Sequence, residues 1–228
     1  GMESVLQKLD GQGAGVWSRR WSAANGGVLL RALATGSGAV VVGGNYRGEV
    51  DVDPGVGERV LKSEGGVDGF VVKLDVAGGH VWSHGFGGVG EEALMSVAVD
   101  ERGSVYAAGM FHGTLDLDPG SGEARYVAVE GGEEGFVVKL EGTAGGYVWS
   151  KVFGGAADDH VQSVAVDRVG DVYVGGYYAG VVDFDPGQGE AVFTSAGGLD
   201  AYVVKLTSAG PIRVDTQAPQ VAAVTRRM

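Results

Sequence analysis

The chain has 228 residues, 44% of them apolar, with 44 glycines and no cysteine; this excludes a disordered chain, a disulfide framework and any thiolate chemistry. Its formal charge of -12, from 17 basic and 29 acidic residues, would repel nucleic acid and anionic lipid. No stretch reaches the roughly 18 apolar residues of a spanning helix, so neither a nucleic-acid partner nor a membrane span is expected.

The opening residues Gly1-Met2-Glu3 carry no basic region ahead of an apolar run, so no signal peptide is read there. The first apolar segment, Val5 to Leu9, is a weak copy of a run that returns as Phe70 to Leu74, Phe136 to Leu140 and Tyr202 to Leu206. Val16-Trp17-Ser18 returns as Val81-Trp82-Ser83 and Val148-Trp149-Ser150, and four residues beyond each Trp stands a second aromatic: Trp21, Phe86 and Phe153. Leu30 to Ala34, Met95 to Val99 and Gln162 to Val166 come next, followed by Val40 to Gly44, Val105 to Gly109 and Val172 to Gly176. The order is constant and the offsets are 65 to 67 residues, which predicts about three and a half copies of one structural unit.

The central unit reads as four short strands: Ser96 to Asp100, Ser104 to Phe111, Gly135 to Leu140 and Tyr147 to Val152, the last with a counterpart at His80 to Gly85. Asp100-Glu-Arg-Gly103 and Asp167-Arg-Val-Gly170 read as hairpin turns opened by an Asx-turn, and Ala77-Gly78-Gly79 and Ala144-Gly145-Gly146 turn the next hairpin. No 3.6-residue period lasts three turns. Such a sheet is apolar on both faces and must stack on its neighbours, so the fold class is all-β: a β-propeller or partial propeller of repeated four-stranded antiparallel blades. Trp82, Phe86, Trp149 and Phe153 are expected between blades. The repeats occupy residues 1–214, with Pro211 to Val214 a candidate extra strand, and 215–228 read as a C-terminal linker or arm.

Between the second and third strands of each unit lies the most specific block: Asp51-Val-Asp53-Pro-Gly, Asp116-Leu-Asp118-Pro-Gly and Asp183-Phe-Asp185-Pro-Gly. Carboxylates two positions apart converge when the backbone turns between them, as loops for a hard cation require. The six residues Asp51, Asp53, Asp116, Asp118, Asp183 and Asp185 are therefore candidate Ca2+ ligands, with Glu58, Glu123 and Glu190 as further oxygen donors. The competing reading is a turn in which the first Asp faces solvent and the second caps backbone N–H groups.

Outside this block no catalytic or cofactor-binding residue is assigned; Ser–His–Asp groupings, Walker loops and helical zinc motifs are absent from the sequence. His80, His84, His112 and His160 do not recur in all copies and are expected at the surface, as are the acidic pairs Glu91-Glu92 and Asp158-Asp159. Trp17, Trp82 and Trp149 are candidate shelves for a glycan, against the commoner role of Trp as core.

The runs Val97 to Gly109, Phe136 to Leu140, Val148-Trp149-Ser150 and Phe153-Gly-Gly155 resemble the bacterial β-propeller repeats called SBBP, and the likeness extends from about residue 5 to 206. The resemblance implies a propeller from a large secreted or surface-linked protein and implies no particular activity. Two departures stand out. Members of that group carry more repeats, and the first unit is eroded, with Thr35 aligned on Asp100 and Asp167, and Val41 on Tyr106 and Tyr173. The expected function is a non-catalytic scaffold or protein-binding module; the alternatives are a calcium-dependent or carbohydrate-binding propeller and, more remotely, an enzyme. The half-integral repeat count leaves three readings: a homodimer completing seven blades with two-fold symmetry, additional repeats in a longer chain that close the ring, and an open assembly joined by edge strands.

Overall fold

The β-branched and aromatic runs of each unit pair as an antiparallel meander. A computed structural model describes residues 2–207 apart from 130, 186 and 188. It begins with a two-stranded hairpin, β1 (Glu3–Leu9) and β2 (Gly15–Ser22). The first full blade follows: β3 (Gly27–Gly36), β4 (Ala39–Arg47), a small ribbon of β5 (Glu49–Asp51) and β6 (Val60–Lys62), then β7 (Asp68–Asp75) and β8 (His80–Phe86). The second repeats it with β9 (Glu92–Val99), β10 (Val105–His112), the ribbon β11 (Thr114–Asp116) and β12 (Arg125–Val127), β13 (Glu133–Leu140) and β14 (Tyr147–Phe153). The last sheet holds β15 (His160–Val166), β16 (Val172–Asp183) and β17 (Val192–Leu206). Here the ribbon is continuous with the sheet, Val181 to Asp183 of β16 pairing with Val192 to Thr194 of β17.

Strand order is β3-β4-β7-β8 in the first blade and β14-β13-β10-β9 in the second, with β15-β16-β17 in the last sheet. The chain is thus all-β and built of repeated antiparallel sheets that stack on one another, as blades do. The described sheets form a series without closing into a ring. Among the described residues no helix is long and apolar enough to cross a membrane. The expected strand at Pro211 to Val214 and the arm at 215–228 lie outside the described residues.

Successive side chains of a strand point to opposite faces, and here each face has its own core. Phe70, Val72 and Leu74 of β7 pack with Trp21, Val28 and Tyr46 in the layer between hairpin and first blade. Val71 of the same strand faces the other way, joining Val41, Trp82, Phe86, Leu94 and Phe136 between the first and second blades. Tyr106, Ala108 and Val137 of the second blade meet Phe153, Val161, Val174 and Tyr202 in the next layer. Close approach within a blade is secured by a glycine on its second strand. A Cβ on Gly109 would run into the carbonyl of Ala93, beside the bulge where β10 and β9 slip register. Gly44 and Gly176 face bulges in the same way.

The eroded turn of the first blade follows a different geometry. In the second blade Asp100 opens a three-residue turn: its N–H donates to the Ser104 carbonyl at 3.0 Å, and Gly103, at φ +83°, donates to the Asp100 carbonyl at 2.9 Å. Without an Asp to fix that turn, β3 and β4 join through two residues, Ser37 and Gly38, both at positive φ. Pairing then sets Thr35 opposite Val40, where the second blade sets Val99 opposite Val105. Gly36, and not Thr35 as the sequence alignment has it, therefore occupies the place of Asp100.

Candidate functional site: acidic ribbons and blade junctions

The three Asp-x-Asp-Pro-Gly blocks sit at the tips of the small ribbons, and their hydrogen bonding is the same in each. Asp51 Oδ1 accepts from the N–H of Asp53 at 3.0 Å and of Arg59 at 2.8 Å. Asp116 accepts from Asp118 and Ala124, and Asp183 from Asp185 and Ala191, at distances of 2.8 to 3.0 Å. The second Asp of each block, Asp53, Asp118 or Asp185, accepts from the glycine two residues on, at 2.8 Å. The other oxygen of that Asp covers a later glycine, Gly57, Gly122 or Gly189, where a Cβ would collide with it. The second Asp caps the turn as one sequence reading has it. The first does not simply face solvent: it ties together the two arms of the ribbon, eight residues apart. Among the described residues no group of three or more His, Asp or Glu side chains is arranged to hold a metal ion.

The turns at the other ends of the strands use the same device. Asp100 Oδ1 accepts from Arg102 and Ser104, and Asp167 from Val169 and Asp171, the Asx-turns expected from sequence. Each belongs to a small polar group. The Tyr106 hydroxyl donates to Asp100 Oδ2 at 3.1 Å, and Lys139 lies over the Tyr106 ring and 3.6 Å from that oxygen. Burial raises the Asp100 carboxyl, but the hydrogen bonds from Ser104 and Tyr106 and the Lys139 charge outweigh it and hold the group below its ordinary range. In the last sheet Tyr173 donates to Asp167, while Lys205 covers the Tyr173 ring and pairs with Asp171 at 2.7 Å.

Where the first blade lacks the Asp and the Tyr, its lysine turns outward. Lys73 Nζ donates to the carbonyls of Gly103 at 3.2 Å and Gly142 at 2.6 Å in the next blade. The indole N–H of Trp82 shares the Gly142 carbonyl at 3.2 Å. One unit earlier, Lys8 and Trp17 converge on the carbonyl of Val76 at 3.2 and 3.1 Å. A Lys and a Trp from one sheet thus latch the turn of the following sheet, twice. Trp82, Phe86 and Phe153 are buried as expected. Trp149 is only half-buried, packed edge-on to Tyr106.

Two surface expectations are corrected. Of the acidic pairs, Glu91 and Asp158 are exposed or nearly so, but Glu92 and Asp159 are each only 1% exposed. They are buried because they close loops between blades: Glu92 accepts from the N–H of Gly88 at 2.8 Å, and Asp159 from Gly155 at 2.7 Å and Ala179 at 3.0 Å. Of the histidines only His112 is exposed. His160 is held between Glu133 through Nε2 and the Tyr177 hydroxyl, 2.6 Å from Nδ1, a grouping found at one junction and therefore invisible to repeat analysis. His84 is half-buried beside the Trp82 ring, and burial lowers its pKa.

Two four-stranded antiparallel sheets flanked by a hairpin and a three-stranded sheet, joined face to face by repeated aromatic and polar contacts, are of the propeller-repeat type in general. Comparison with known proteins agrees at that level. A model of the SBBP family, described as a β-propeller repeat, matches residues 148–177. The uncharacterized WD repeat-containing protein L264 of Acanthamoeba polyphaga mimivirus is 22% identical, over 82% of this chain. The chain spans only 14% of the length of that relative. Both matches point to propeller repeats in general.

Proposed function

We propose that this chain is a non-catalytic propeller-type scaffold that binds protein, a second copy of itself included, through the outer strands of its first and last sheets. The observation that carries this reading is where apolar side chains are left exposed. Val5 and Leu9 on β1, and Val192, Leu199 and Val203 on β17, are each half exposed or more. Outer strands with apolar side chains are templates for further β-structure. By contrast, the polar groups that repeat from unit to unit cap turns or join sheets. Two chains associated through these strands would bring their blades toward a seven-bladed ring with two-fold symmetry.

The hydrogen bonds of the Asp-x-Asp-Pro-Gly blocks favour turn closure over a Ca2+ site, since the Oδ1 atoms already accept backbone N–H groups. The indole N–H groups of Trp17 and Trp82 are engaged by neighbouring sheets, which favours packing over a sugar shelf. Sedimentation velocity at micromolar concentration tests the reading. Self-association is expected for the wild type, and it should weaken in Leu199→Glu and Val203→Glu. Monomer at every concentration, in wild type and variants alike, would overturn the self-binding part of the proposal.

A further inference from the structure

The junction between the first and second blades contains two buried acids that no cation pairs with among the described residues. Asp68 opens β7 and Glu92 opens β9, and each is 1% exposed. Each closes its own five-residue loop with one oxygen: Asp68 Oδ2 accepts from the N–H of Glu64 at 3.0 Å, and Glu92 Oε2 from that of Gly88 at 2.8 Å. The two loops are zipped together across the junction. The N–H of Glu92 donates to the Val67 carbonyl at 2.7 Å, and that of Gly66 to the Gly90 carbonyl at 3.2 Å. The remaining oxygens, Asp68 Oδ1 and Glu92 Oε1, are buried with no hydrogen-bond partner among the described residues.

An unpartnered, fully buried carboxylate oxygen is expensive, and two beside each other more so. The surroundings add to the problem. Glu64 and Glu91 bring further negative charge, and the Tyr46 hydroxyl on β4 is the neutral titratable group facing the site. The cation beside this cluster, Arg47, is largely exposed and pairs with Glu91 at 3.5 Å. Neither Asp68 nor Glu92 is in an ion pair among the described residues.

The next junction repeats the arrangement with a different outcome. Glu134 and Asp159 occupy the corresponding places, 7% and 1% exposed, again with loops closed by Val129 and Gly155. There the second oxygen of Asp159 is satisfied by the N–H of Ala179 at 3.0 Å. Asp158, the His160–Glu133 pair and Tyr202 surround it. Among the described residues, the first of these two junctions leaves a buried oxygen of each acid without a donor, and at the second both oxygens of Asp159 have one.

We propose that the Asp68–Glu92 pair is a proton-binding site through which acidification tightens the contact between the first and second blades. A proton supplies the donor that an orphaned oxygen lacks and removes the repulsion between the acids. Burial, the largest cause for both, pushes Asp68 up to about 6 and Glu92 up to about 7. An unfolded carboxyl titrates near 4, so between about pH 4 and 7 the folded chain holds more protons than the unfolded one. Stability from this pair is therefore greatest at the acid end of that window and falls as pH rises through it.

The test is calorimetric unfolding of the whole chain from about pH 8 to pH 5, for wild type, Asp68→Asn, Glu92→Gln and the double variant. Both replacements keep an acceptor for the loop N–H and add a neutral donor. The wild-type midpoint temperature should rise on acidification. The double variant should be more stable than wild type at pH 8 and show a shallower pH dependence. Parallel curves for wild type and double variant would overturn the proposal, as would a rise in the wild-type midpoint on adding Ca2+ at pH 8 that Glu92→Gln abolishes, since the occupant would then be a cation. If a variant fails to fold, carboxyl-carbon NMR of the wild type decides. A carboxyl titrating near 6 to 7 is expected, and carboxyls all titrating below about 5 would refute the site.

Discussion

A repeated aspartate that accepts two amides across a ribbon should be structural first. Asp116 holds Asp118 and Ala124 together from opposite arms of the β11–β12 ribbon. Asp116→Ala strands both donors in a partly buried turn, and urea unfolding should show a loss of about 1–3 kcal/mol. Because those oxygens already have partners, about 10 mM Ca2+ should leave the midpoint temperature unchanged. A calcium-dependent rise, lost in Asp118→Asn, would restore the metal reading of the block. The same logic applies to the group of Asp100, Tyr106 and Lys139. Tyr106→Phe removes a buried hydrogen bond to a charged acceptor, so chemical denaturation should reveal a loss of roughly 1.5–3 kcal/mol. No such loss is expected from Val41→Phe at the eroded position beyond the strain of overpacking, since Lys73 there already bonds to the next blade.

At the scale of the element, the junction between blades is held by an apolar layer and by the latch on the turn of the following sheet. The two can be separated at Trp82. Trp82→Phe keeps most of the packing but removes the indole N–H from the Gly142 carbonyl, which Lys73 still satisfies; a loss of about 1 kcal/mol is expected. Trp82→Ala removes the packing as well and should cost about 3–5 kcal/mol. Equal losses in the two variants would mean that the latch, and not the layer, carries the contact. The core strands and the aromatic pair after each third strand were legible in the sequence because their side chains alternate and recur, whereas the pairing of the inserted block into a ribbon was not. The Asx-turn at Asp100 was legible for the same reason. Burial of Glu92 and Asp159 was not, because an acidic residue in a glycine-rich loop has the composition of a surface loop, and only the approach of the neighbouring blade covers it. The register of β3 on β4 was also hidden. Losing one Asp exchanges a three-residue turn for a two-residue turn and shortens the hairpin by one residue. The loop before β3 is one residue longer, so the repeat offset does not show the change. The Lys–Trp latch lies beyond pattern reading, since its acceptors are backbone carbonyls of another sheet.

The described residues form a stack in which the second blade is covered on both faces, whereas β3 of the first blade (Leu29, Leu33) and the outer strands β1 and β17 carry exposed apolar side chains. All-β content follows from the same arrangement, and far-ultraviolet circular dichroism should show little helix. Fold alone does not confer an activity, so the account stands or falls on whether those outer strands bind β-structure. Hydrogen exchange read by mass spectrometry, across a concentration series from below one micromolar to about a hundred, addresses this directly. Amides of β4, β7, β10 and β13 should be protected at every concentration, whereas those of β1 and β17 should gain protection as concentration rises. Exchange in β1 and β17 that is the same at all concentrations would contradict the account.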